Sequence, residues 1–191
     1  MGKTKDFIVY HGTDYTVAEK IISDKFSYNT SDEHWLGNGI YFYEDFSLAK
    51  WWTSKPSTKF GSKIVKPAII SCSLMLEDDK ILDLRSLDNY IEFSAIYNDE
   101  FIPQVFKGYI KVEREPSSGK FHTKKLRCTF CDYLKDQFEL QAIIGTFDLP
   151  SQPYLPPHYE EGFKSFSLNY IETQVCVFDP NVIRNKQIIG I

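Results

Sequence analysis

The sequence predicts an α+β fold, and three observations lead there. Short apolar runs rich in β-branched and aromatic residues recur along the chain as strand candidates. Several stretches carry helical spacing instead. The order is mixed, without a regular strand–helix–strand alternation. Neither a repeat nor a linker divides the 191 residues, so residues 1–191 read as a single domain able to bury a sizeable core.

Phe7–Tyr10 reads as a short buried strand that ends at His11-Gly12-Thr13. Asp14 or Thr16 can cap the helix that follows, because Val17, Ala18, Ile21 and Ile22 recur at helical spacing. Residues 27–34 are polar and loop-like. Ile40-Tyr41-Phe42-Tyr43 is a second strand, and residues 47–53 a second helix with Ser47 as its cap. Ala68 to Leu76 reads as a central strand, and Ile81 to Leu84 as a short extended piece. Residues 88–104 have mixed helical patterning, and a helix is expected from about Thr129 to Phe138. Gln141 to Phe147 is a buried strand by its apolar run. Residues 149–159 hold Pro150, Pro153, Pro156 and Pro157 and must be a loop. Val175 to Phe178 is a strand closed by Asp179-Pro180, and Ile188 to Ile191 forms a final one.

Composition narrows the function classes. A hydrophobic fraction of 42% and an aromatic fraction of 16% describe a chain that folds, with aromatics to spare for a stacking site. The net charge of −4 gives no global pull toward nucleic acid, though a local patch would suffice for one. Lys120, Lys124, Lys125 and Arg127 are the one dense basic cluster, expected as a solvated loop face, with a phosphate or nucleic-acid contact as the sharper alternative. A secretory leader or a membrane-length apolar stretch is not visible, so a cytoplasmic protein without a membrane partner is expected. Cys128 and Cys131 form a Cys-x-x-Cys pair, but Cys72 and Cys176 are isolated and His122 is the only histidine nearby. Reduced, partly buried thiols and no metal site are expected.

The chemistry is suggested by Gly37-Asn38-Gly39-Ile40-Tyr41-Phe42 taken together with Tyr10-His11-Gly12-Thr13. Singly, a histidine at a strand end, a Gly-x-Gly turn and a strand tyrosine are ordinary structural residues. In this order, followed by a helix carrying Ala49, Trp51 and Trp52, the set resembles the nucleotide-binding half of the diphtheria-toxin and poly(ADP-ribose) polymerase branch of ADP-ribosyltransferases. The likeness covers residues 8–53 and roughly 169–185. It implies a split β-sheet core with flanking helices and NAD as the substrate. Departure of nicotinamide from NAD passes through an oxocarbenium-like state, so such a site must orient the carboxamide, stack the ring and stabilise positive charge on the ribose. By the resemblance, the backbone of Gly12 would hold the carboxamide, and His11, assisted by Thr13, would bind the adenosine-side ribose. Tyr41, after Gly39, would stack on nicotinamide, with Trp51 as the second aromatic and Trp52 as the alternative by one residue. The Rossmann and P-loop phosphate motifs do not fit: a third glycine and a βαβ setting are missing, and there is no Gly-Lys-Ser or Gly-Lys-Thr.

The family's catalytic glutamate opens a late strand, and here the sequence departs from the pattern. Anchoring on Val175-Cys176-Val177-Phe178-Asp179 places Gln174 at that position, with Glu172 two residues earlier. In a strand, residues two apart face the same side, so both can enter one pocket. Two accounts follow. Either Glu172 supplies the charge while Gln174 bonds the ribose hydroxyls, which is the favoured account, or Gln174 occupies the catalytic place without charge. The loop from Leu149 to Phe166, with Tyr154, Tyr159, Phe163 and Phe166, stands where related enzymes meet their acceptor.

The resemblance thus implies an NAD-dependent ADP-ribosyltransferase acting on nucleic acid or protein, as a toxin or antiphage effector that an antitoxin or inhibitor protein could restrain. The alternatives are an NAD-dependent RNA 2'-phosphotransferase, an inactive NAD- or ADP-ribose-binding module, and an interaction domain that binds no nucleotide. An arginine set to match the phosphotransferase is not evident in the sequence.

Overall fold

A computed structural model describes residues 3–28, 30–54, 64–147 and 171–189. Seven strands form one mixed sheet: β1 (Thr4–Asp14), β2 (Ile40–Tyr43), β3 (Pro67–Glu77), β4 (Ile81–Asp83), β5 (Ala142–Phe147), β6 (Glu172–Val177) and β7 (Ile183–Ile189). Their order across the sheet is β4-β5-β6-β2-β1-β3-β7. Among the described residues five α-helices flank it: α1 (Tyr15–Ser23), α2 (Phe46–Thr53), α3 (Leu87–Ala95), α4 (Ile102–Phe106) and α5 (Thr123–Phe138). A π-helical segment, Ile96–Phe101, joins α3 to α4. The predicted α+β class holds at this level.

The sheet is two blocks with a narrow seam. β1 pairs with β3 along its whole length, from Thr4↔Glu77 to Asp14↔Pro67. β2 pairs with β6 from Ile40↔Val177 to Tyr43↔Gln174, and β6 with β5 from Ala142↔Val177 to Phe147↔Glu172. Between the blocks, β1 and β2 share a single register pair, Tyr10↔Tyr43.

Strand alternation sends side chains to two cores. On one face Val9, Phe42, Ile70, Leu74, Ile144 and Val175 pack with Ala18 and Ile21 of α1 and with Phe26. On the other, Leu36, Ile143 and Cys176 meet Cys131 of α5. Beside them, Tyr43 and Ile69 meet Leu48 and Ala49 of α2. Phe101, Val105, Phe130 and Leu134 form a fourth cluster that ties the helices after β4 to α5.

Several boundaries differ from the sequence expectation, each for a physical reason. β1 does not stop at His11 but runs on to Asp14, because β3 offers it a continuous ladder. Asp14 caps α1, accepting the Thr16 amide at 3.1 Å, and also accepts the Val65 and Lys66 amides, which pulls its carboxyl well below the ordinary range. The cap of α2 is Asp45, which accepts from the Ser47 amide at 2.7 Å, rather than Ser47 itself. α5 starts at Thr123, a turn and a half earlier than expected. Its basic first turns hide the pattern, and Cys128, Phe130, Cys131 and Leu134 supply the buried stripe. β6 opens at Glu172, not Val175, since β5 flanks it up to Phe147. β7 begins at Ile183 instead of Ile188. It is an edge strand whose polar residues Arg184, Asn185 and Lys186 conceal it, and its pairing is interrupted between Ser71 and Ser73. The predicted proline-rich loop and its four aromatics, and the last two residues of the expected final strand, lie outside the described residues. No helix among the described residues is long and apolar enough to cross a membrane.

Candidate functional site

At the seam, β1 and β2 part after Tyr10↔Tyr43, and the imidazole of His11 takes the place of the next ladder bond. His11 Nδ1–H donates to the Tyr41 carbonyl at 2.8 Å. That bond sets the tautomer of the neutral ring and leaves Nε2 as an acceptor. The ring packs edge-on to Phe26 and Phe42, and burial holds its pKa below the ordinary value. Thr13 is half-buried on the same strand, paired with Ala68.

Gly12 has a structural role beside the one the resemblance gives it. A Cβ built there would sit 2.5 Å from the Ala49 carbonyl oxygen and 2.7 Å from Thr53 Cγ2. The glycine therefore lets α2 lie against β1. Gly39 does the same for β6, because a Cβ there would meet Cys176 Sγ at 2.6 Å and the Val177 oxygen at 2.7 Å. Gly37 has φ +86°, a conformation that favours glycine. The whole turn is held on α5 by Asp132, which accepts from the Asn38 amide at 2.7 Å and from Asn38 Nδ2 at 2.6 Å. Asn38 in turn accepts the Ser31 amide at 2.7 Å.

Tyr41 is half-buried. Its hydroxyl donates to the Gly37 carbonyl at 2.8 Å and accepts the Leu36 amide at 2.7 Å, so the phenol is committed to bracing the turn while the ring stands edge-on to His34. Burial raises its pKa far above the ordinary value. Trp51 and Trp52 are both half-buried on α2. Trp52 packs against the buried cluster of Tyr43, Leu48, Ala49 and Ile69, as Tyr10 does.

Glu172 and Gln174 do share one face of β6. Gln174 Nε2 donates to Glu172 Oε1, and Glu172 is only 2% exposed. Its second oxygen, Oε2, is buried with no hydrogen-bond partner among the described residues. Burial raises the carboxyl's pKa, and the bonds from Gln174 and Tyr43 hold it back in part. Tyr43, which was not among the residues expected from the sequence, adjoins this pair. It stands opposite Gln174 in the β2–β6 register, and its own pKa is raised by burial and then by the Glu172 charge. The alternation from Tyr41 to Tyr43 was the available signal.

The same face carries Phe147, paired with Glu172 across β5–β6. Trp35 meets Phe147 edge-on with ring centroids 4.6 Å apart, and the Arg127 guanidinium lies over the Trp35 ring at 4.7 Å. The basic cluster is thus largely helical, not a loop. Lys124 pairs with Glu33 at 3.3 Å, and Lys125 with Asp32 at 2.8 Å and with Glu113. All four cysteines are buried free thiols. Burial pushes Cys128 up to about 11 and Cys72 and Cys131 up to about 12.

Chemically, one face of the seam holds a buried carboxyl, a carboxamide, a phenol and an indole, whereas the neutral His11 imidazole packs on the opposite face, against Phe26 and Phe42. That combination can bind hydroxyls, take up a proton and flank a flat ring.

The chain matches no protein-family model. It is similar to the uncharacterized protein MJ0359 of Methanocaldococcus jannaschii, with 29% identity over 200 residues, covering 94% of this chain and 85% of the archaeal one.

Proposed function

We propose that this chain is an NAD-dependent ADP-ribosyltransferase. The observation that carries the reading is the buried Glu172 carboxyl, with Gln174 and Tyr43 around it, on the face of the sheet beside the His11-bridged seam. The resemblance in residues 8–53 supplies the substrate. In the reaction, the bond between nicotinamide N1 and ribose C1' breaks and the electron pair leaves with nicotinamide. An acceptor nucleophile then bonds to C1' and gives up its proton. Glu172, ionised, offsets the developing ribose charge and takes that proton. Gln174 orients Glu172 and the ribose hydroxyls. His11 Nε2 accepts from the adenosine-side ribose, and the Gly12 backbone holds the carboxamide. Tyr41 and the α2 indoles, with Trp52 nearer the seam, flank the nicotinamide ring. The acceptor is a macromolecule, nucleic acid or protein, in keeping with a toxin or antiphage effector.

A second reading draws on the same hydrogen bond. The Gln174 carboxamide occupies one Glu172 oxygen, as it would in a module that binds NAD or ADP-ribose without turnover.

Incubation with labelled NAD and cell lysate or RNA decides between them. Label transfer with nicotinamide release supports the transferase. Calorimetric NAD binding with neither product supports the binding module. Absence of both binding and turnover removes NAD from the account.

A further inference from the structure

We infer that Arg127, stacked on Trp35, is an anion subsite for a phosphate-bearing ligand at the edge of the Glu172 face. The inference rests on the proposed transferase reading only for where the phosphate comes from.

Three observations carry it. First, among the described residues Arg127 has no ion pair, and its buried Nε has no hydrogen-bond partner. The side chain as a whole is only partly buried, so its charge is left for an outside anion to compensate. Second, the neighbouring cations are already matched: Lys124 by Glu33, and Lys125 by Asp32 and Glu113. On α5, positive charge is therefore unpaired at Arg127 and matched at its two lysine neighbours. Third, the guanidinium is held in place. It lies 4.7 Å over the Trp35 ring, and Trp35 is held edge-on by Phe147, which pairs with Glu172. Trp35 is itself 37% exposed, so the stack reaches solvent. A planar cation stacked on an indole keeps its N–H fork free for two phosphate oxygens.

The shared chemistry is a phosphate oxyanion, borne either by the NAD diphosphate or by a phosphodiester of a nucleic-acid acceptor. Inorganic pyrophosphate tests the subsite directly, by calorimetry at low ionic strength, with no need for turnover. The expected result is that wild type binds pyrophosphate and Arg127→Gln binds it at least about tenfold more weakly. Arg127→Lys, which keeps the charge and loses the fork, is expected to fold and to bind several-fold more weakly; it decides the matter if the Gln variant does not fold. Absence of pyrophosphate binding by wild type, or equal binding by wild type and the Lys and Gln variants, overturns the subsite. Two further titrations assign the source. With the donor, NAD binding weakens in Arg127→Gln and a short single-stranded RNA is unaffected. With the acceptor, the RNA weakens and NAD does not. Because pyrophosphate is read separately, loss of the transferase reading leaves this test intact.

Discussion

Replacing Gly12 by alanine is expected to displace α2 and loosen the seam. The added Cβ would lie 2.5 Å from the Ala49 carbonyl oxygen, 0.9 Å inside the 3.4 Å at which ordinary contact begins, and 2.7 Å from Thr53 Cγ2. The first clash is with backbone, which cannot swing aside as a side chain can. Relief therefore requires α2 to move off β1, carrying Trp51 and Trp52 with it. Overpacking of this kind costs about 1–3 kcal/mol, which for a domain of this size lowers Tm by roughly 2–12 °C. Urea denaturation of wild type, Gly12→Ala and the double variant Gly12→Ala/Thr53→Ser measures it. Serine removes Cγ2 and keeps the hydroxyl that bonds the Lys50 carbonyl at 2.7 Å. The double variant should recover only part of the loss, because the Ala49 oxygen remains. Full recovery would refute the backbone-contact argument, and a Gly12→Ala chain as stable as wild type would refute the close approach itself.

Three other outcomes follow from the same geometry. Asp132→Ala strips the acceptor from the Asn38 amide and side chain and should cost about 1–3 kcal/mol by denaturant melt; Asp132→Asn, which keeps one acceptor, should cost less. The Glu172 carboxyl has a folded pKa above its ordinary 4.5, so the folded chain holds a proton that the unfolded chain has already lost. This group's contribution is therefore most favourable below 4.5 and declines as pH rises to the folded value. Glu172→Gln should remove that decline and gain on wild type as pH rises, and identical pH slopes for the two would contradict it. The four thiols, buried and held protonated, should stay unreactive toward a thiol reagent until denaturant is added.

The parts of the fold that were legible in the sequence are those fixed by local pattern. Ile40–Tyr43 was read to the residue, and Asp14 was named as a cap, because alternation and capping act over a few positions. The misses depend on distant partners. Glu172-Thr173-Gln174 does not look like buried strand, and it becomes one only because β2 and β5 flank it. Gly39 reads locally as a turn residue, while the demand for glycine comes from Cys176 and Val177. Asp132 lies 94 residues from the Asn38 it holds, so nothing near the turn announces it. Tyr43 was within reach of the i, i+2 argument that brought Glu172 and Gln174 together, and its place opposite Gln174 needed only the strand register. His11, Gly12 and Tyr41 stand out in the sequence only by the order of their motifs, whereas the bond from His11 to the Tyr41 carbonyl across the seam depends on how the two blocks meet.

The measurement that bears most directly on the central claim is nicotinamide release from NAD by wild type, Glu172→Gln and Gln174→Ala, with NAD binding followed in parallel. The account predicts turnover by wild type. Glu172→Gln should still bind NAD and lose turnover by about a hundredfold or more, the scale of a lost base or charge stabiliser. Gln174→Ala should lose less. Turnover unaffected in Glu172→Gln and abolished in Gln174→Ala would assign the chemistry to Gln174, and a wild-type chain that neither binds nor cleaves NAD would contradict the account outright.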